Sequence, residues 1–87
     1  MSLAGFVGGV ALDRRGDLGR TVWIEWSDGD VDGPFLVIDC AKRKHVGGCI
    51  VEVDASVAKK RGFYGVDRVP VRVYFYDTSV EHGTMWQ

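Results

Sequence analysis

The chain is short of several things, and each shortage removes a class of function. It holds two cysteines and two prolines, and its apolar runs are brief. None approaches the roughly 20 residues that a membrane-spanning helix needs, so no membrane span is expected. Eleven Lys and Arg stand against twelve Asp and Glu, for a net charge of -1. A nucleic-acid binder is usually clearly basic, so no nucleic-acid partner is expected. The glycine-rich stretches Gly5 to Gly9 and Gly47-Gly48 are not followed by Lys-Ser or Lys-Thr. They therefore match no phosphate-binding loop. Cys40 and Cys49, with His45 between them, are too few ligands for a closed four-ligand zinc site. Free thiols, a disulfide and a metal site remain the alternatives for that pair, with free thiols first. No cofactor and no metal are implied. Met1 to Leu12 is mildly apolar but has no basic leading region and no convincing cleavage site, so it does not read as a signal peptide.

What is present is the material of one small β domain. The chain has 87 residues, 46% of them hydrophobic and 26% charged, with twelve glycines. That composition fits a single globular domain over residues 1–87. Arg20 to Trp26 alternates, placing Val22, Ile24 and Trp26 on one face and Thr21, Trp23 and Glu25 on the other. Ser27-Asp28-Gly29-Asp30 signals a turn, and Asp32-Gly33-Pro34 a second break. Phe35 to Ile38 reads as a strand buried on both faces, ending in Asp39-Cys40. Lys42 to His45 with Gly47-Gly48 reads as an exposed loop, and Ile50 to Val53 as a short strand. Asp54 and Ser56 are good helix caps ahead of a short helix, Val57 to Arg61, stopped by Gly62. Val69 to Tyr76 alternates again, with Val69, Val71, Val73 and Phe75 on the inner face and Arg72, Tyr74 and Tyr76 on the outer. Pro70 suits a strand start or an edge. Asp77 to Gln87 is polar and without period. An all-β barrel or sandwich with one or two short helices follows. A faint internal symmetry is also visible, because the alternating strand at Thr21 to Trp26 has a counterpart in the C-terminal half.

Four stretches taken in order resemble one family. They are Gly16-Asp17-Leu18-Gly19-Arg20-Thr21-Val22, Gly33-Pro34-Phe35-Leu36-Val37-Ile38-Asp39-Cys40-Ala41, Val51-Glu52-Val53-Asp54-Ala55-Ser56-Val57-Ala58 and Arg68-Val69-Pro70-Val71-Arg72-Val73. The order is similar to that of rare lipoprotein A-like (RlpA-like) proteins, with barwin and the expansins as more distant relatives. It covers roughly Val10 to Phe75. The resemblance implies a small closed six-stranded double-psi β-barrel. It also implies action on a polysaccharide such as peptidoglycan, in an extracytoplasmic setting. In lytic members an Asp ends the apolar strand as a catalytic carboxylate, and Asp39 occupies that position. In expansin-like members the Asp before the short helix lies at the groove, and Asp54 occupies that one. The family's histidine position falls on Asp13, so that histidine is absent. His45 does not match it.

The catalytic candidates are thus Asp39 as general acid and base, Asp54 assisting, and His45 as a neighbour. A lytic transglycosylase needs one group that protonates the leaving oxygen and then deprotonates the sugar's own hydroxyl. Asp39, after four apolar residues, is expected to be partly desolvated, which favours the acid role. Asp54 has a competing use as a helix cap. Glu52 lies two residues before Asp54, which puts both on one strand face. Glu52, Trp23, Tyr74, Tyr76, Lys42 and Arg43 are the candidate substrate-binding residues. The aromatic rings sit on polar strand faces, where they can stack on sugars. The basic runs at Lys42 to Lys44 and Lys59 to Arg61 can meet an anionic polymer, or simply be solvated. The alternative to glycan cleavage is a non-catalytic glycan-binding or protein-interaction barrel.

Overall fold

The computed structural model describes residues 4–41, 49–66, 68–77 and 79–86. Among them run β1 (Gly8–Leu12), β2 (Thr21–Glu25), β3 (Val31–Cys40), β4 (Cys49–Glu52), α1 (Ala55–Arg61), β5 (Val69–Phe75) and β6 (Val80–Trp86). A 3-10 turn, Arg15–Asp17, links β1 to β2. The strands close into a barrel in the order β1-β3-β2-β5-β6-β4. This is the closed six-stranded all-β fold expected from the sequence, with one short helix. Closure removes the exposed edges that a small open sheet would have to protect.

The two halves have the same connectivity. β3 lies between β1 and β2, parallel to the first and antiparallel to the second. β6 lies between β4 and β5 in the same sense. The halves join where β2 meets β5 and where β1 meets β4, both antiparallel. The two halves therefore share one pattern of strand pairing, and exchanging them maps the strand order onto itself.

Alternation explains the core. Val22, Ile24 and Trp26 point inward, as do Val69, Val71, Val73 and Phe75, all buried. Val10, Leu12, Phe35, Val37, Val51 and Met85 complete the interior. Three expectations need correction. The tail is not patternless, because β6 runs through it with Gly83 and Met85 buried. Its signal is hidden because one inward position is a glycine. A Cβ on Gly83 would stand 3.0 Å from Val73 Cγ2 and 3.2 Å from Cys49 Sγ, a crowded spot where a side chain would have to push its neighbours back. Asp32-Gly33-Pro34 is not a break but lies inside the ten-residue β3. The strand is also not buried on both faces throughout, since Phe35, Leu36 and Val37 are buried but Ile38 is 45% exposed. Both cysteines are free thiols, so the disulfide alternative is set aside.

The helix forms where its caps placed it. The Asp54 carboxylate accepts from the Ser56 amide at 3.1 Å, and Gly62 ends the helix at a left-handed φ of 79°. Ala58 is buried, and Val57 and Phe63 pack on the core. Phe63 stacks on Trp26 at 5.5 Å between ring centroids. Arg61 fastens the helix to the barrel. Its Nε and Nη2 donate to the two oxygens of Asp32 at 2.6 and 2.7 Å, and its Nη1 to Asp30 at 2.6 Å. Trp26 Nε1 donates to Asp32 at 2.9 Å. These hydrogen bonds, Arg61 first and then Trp26, hold the Asp32 carboxyl below its ordinary value against the opposing effect of burial. A depressed folded-state pKa stabilises fully above the unfolded value, about 3.9, and the stabilisation is lost as pH falls through the folded one. Acid unfolding followed by tryptophan fluorescence should therefore start at higher pH in wild type than expected for the core alone. Asp32→Asn should be less stable at neutral pH and flatter on the acid limb. An identical acid limb in the two proteins would remove Asp32 from the linkage.

Candidate functional site

The sequence candidates fall into two groups on the barrel wall. Ala11 of β1 stands in register with Asp39 on one side and Glu52 on the other. Val10 and Leu12 point inward, so Ala11 and its two partners face out. Asp39 and Glu52 thus share a face, two strand spacings or about 10 Å apart at the backbone. Asp39 is exposed, not desolvated as expected, because a register shift leaves Ile38 unpaired with β1 and sets Asp39 at the outward position opposite Ala11. Its Oδ1 accepts from the amide of Cys40 at 2.8 Å. Asp54 lies past the end of β4 and is spent on the helix. The Ser56 hydroxyl, then the Ser56 amide, hold its carboxyl below the ordinary range, so it is a poor proton donor. Asp13 accepts from the amide of Ile50 at 3.0 Å and anchors the start of β4. Lys42, Arg43 and His45 lie outside the described residues. Burial pushes the Cys49 thiol up to about 11, which keeps it protonated and unreactive.

The aromatic candidates meet on the outer wall of β2 and β5. Trp23 stands in register with Tyr74, and Glu25 with Arg72. Tyr76, one residue past β5, is held to β2 by its amide, which donates to the Thr21 carbonyl at 3.0 Å. Its ring stacks on Trp23 at 6.4 Å between centroids and 20° between planes. Tyr76 is 78% exposed, whereas Trp23 and Tyr74 are half-buried. The Trp23 indole lies over Gly33 of β3, which offers it a surface without a side chain. The Tyr74 hydroxyl donates to Glu25 Oε1 at 2.9 Å.

This wall ends in an open cleft at each end. One, of about 240 Å³, is lined by Gly19, Arg20, Thr21, Tyr76 and Asp77. Arg20 is already committed there, donating to both Asp77 oxygens at 2.8 Å. The other, of about 470 Å³, is lined by Glu25, Ser27, Gly29, Pro70, Arg72 and His82, among others. A third cleft, of about 300 Å³, lies by α1 between Val7, Val31, Val57 and Lys60. None of these three is lined by Asp39, Glu52 or Asp54. Sequence reasoning missed Glu25, Arg72 and His82. Glu25 and Arg72 alternate outward with Trp23 and Tyr74, which was a usable signal. His82 lay in the tail whose strand was invisible.

No protein-family model matches the chain, and neither a curated protein nor a solved structure does.

Proposed function

We propose that this domain is a glycan-binding barrel that holds a linear cell-wall polysaccharide against the outer wall of β2 and β5. The observation that carries it is the Trp23–Tyr76 stack. A ring 78% exposed on a small domain, braced by a second aromatic, is a flat apolar platform with polar groups beside it. Sugar rings present apolar C–H faces and polar edges, which such a surface complements. The ordered motifs shared with RlpA-like proteins support a polysaccharide as the polymer. Binding without cleavage is favoured because Asp54 serves as a helix cap and Asp39 stands in solvent.

Co-sedimentation with purified peptidoglycan sacculi tests this. Tyr76→Ala should cut binding by roughly three- to tenfold, the range of one lost aromatic contact. Its unfolding midpoint should stay at the wild-type value, since the ring is mostly in water. Equal binding by Tyr76→Ala and wild type would sink the platform.

A second reading has one observation in its favour, the outward pair Asp39 and Glu52 across Ala11. Two carboxylates on one face, about 10 Å apart at the backbone, can flank a glycosidic bond from its two sides. Mass spectrometry of the same sacculi digests decides it. Anhydro-sugar products from wild type, absent with Asp39→Asn, would establish lytic chemistry at Asp39.

A further inference from the structure

Glu25, Arg72 and His82 form one outward row across three strands. Glu25 of β2 pairs with Arg72 of β5, and Arg72 pairs with His82 of β6. The row lies two residues, about 7 Å, along the wall from the row of Trp23 and Tyr74. It lines the 470 Å³ cleft, with Pro70 and Gly29 on the walls. The row of Trp23 and Tyr74 is therefore the neighbour, on the same wall, of the row that lines the polar cleft. From Arg72 to Tyr76 the track is about 13 Å long.

The charges in that cleft nearly balance. Glu25 is one acceptor carboxylate, already receiving the Tyr74 hydroxyl. Arg72 Nη1 stands 3.7 Å from Glu25 Oε1, too far for a good hydrogen bond, and the Arg72 side chain is 60% exposed. Arg72 lines the cleft, so its guanidinium is open to a ligand there. His82 is exposed and adds an imidazole, a group that can donate and accept. A carboxylate ligand drawn to Arg72 would meet Glu25 beside it, and like charges in contact disfavour binding. A ring bearing adjacent hydroxyls has the opposite fit, since each hydroxyl donates once and accepts twice. One can give its proton to Glu25 while its neighbour accepts from Arg72.

We infer that the cleft of Glu25, Arg72 and His82 is a sugar subsite for a neutral, polyhydroxylated ring, on the same wall as the Trp23–Tyr76 platform. This rests on the glycan-binding reading of the platform and adds the chemical class that the site selects.

The test uses sacculi in two forms, native and with their free carboxyls converted to neutral amides by carbodiimide and ethanolamine. The full chain should bind both within about twofold. Arg72→Gln should weaken both by about tenfold, as expected for one lost hydrogen bond to a charged group. A neutral N-acetylglucosamine oligomer should shift the His82 and Arg72 resonances in an NMR titration, and Tyr76→Ala should reduce that shift. Binding at least tenfold weaker to the amidated sacculi would overturn the inference, because the ligand's charge would then be what is read. Wild-type affinity in Arg72→Gln beside weakened Tyr76→Ala would also overturn it, while leaving the platform intact. No binding of wild type to either form would remove the platform reading and this one with it.

Discussion

Gly33→Ala should destabilise the barrel by about 2–4 kcal/mol and dismantle the aromatic platform at once. Gly33 sits at φ 141°, where L side chains are strained. The added methyl would also stand 2.6 Å from Trp23 Cδ1 and 3.1 Å from Trp23 Cα. The ring can swing away, but the backbone of β2 cannot, since Ile24 and Glu25 are paired to Asp32 and Val31. Moving the ring breaks its stack with Tyr76. Urea unfolding should give a lower midpoint with an unchanged slope, and sacculus binding should fall further than in Tyr76→Ala. A stable Gly33→Ala protein with full binding would show that Trp23 does not depend on that bare stretch of β3.

The second large effect is expected at Asp17. It is the buried charged residue among the described side chains, 5% exposed. Its Oδ2 accepts from Arg14 Nε at 2.8 Å and its Oδ1 from Arg20 Nη1 at 2.7 Å. Arg14 reaches on to Glu81 and Arg20 to Asp77, so the chain of charges ties the link between β1 and β2 to the β5–β6 hairpin. The Arg20 guanidinium also lies 3.9 Å over the Phe75 ring. Asp17→Asn keeps the shape but removes the charge that both arginines share. The expected loss is about 2–3 kcal/mol, less than for a fully buried pair because both arginines keep an outer partner. For a domain this size that lowers the melting temperature by on the order of 10 °C. Asp77→Asn, at an exposed position of the same chain of charges, should leave the melting temperature close to that of wild type. Equal losses at the two positions would mean that burial is not what gives Asp17 its weight.

Strands with a clean inside and outside were legible. Thr21–Glu25 and Val69–Phe75 could be read because β-branched and aromatic residues alternate with polar ones along them. The helix could be read from its cap candidates Asp54 and Ser56 and its stop at Gly62, although it begins at Ala55 rather than Val57. β1 and β6 could not, because glycine occupies positions where a side chain would have marked the face. Gly33-Pro34 misled for a related reason. Residues that usually end a strand lie here inside one, beneath a tryptophan. The site followed the same division. Trp23, Tyr74 and Tyr76 were correctly placed outward by alternation within a strand. The row of Glu25, Arg72 and His82 depends on register between strands, which no single segment encodes. Asp39 was expected in an apolar setting from its neighbours in sequence, but a register shift against β1 sets which way it faces.

The strand order sets a schedule for synthesis. β4 finds its parallel partner in β6, the last strand of the barrel, and β1 is joined to β4 through two residue pairs, Ala11 with Glu52 and Leu12 with Val51. A ribosome releasing this chain has made the platform strand β2 long before β5 and Tyr76 exist to flank it. Until Val80–Trp86 emerges, the growing polypeptide carries unpaired strand edges with its tryptophans partly uncovered. Such a topology favours late, all-at-once closure over stepwise assembly from the N-terminus.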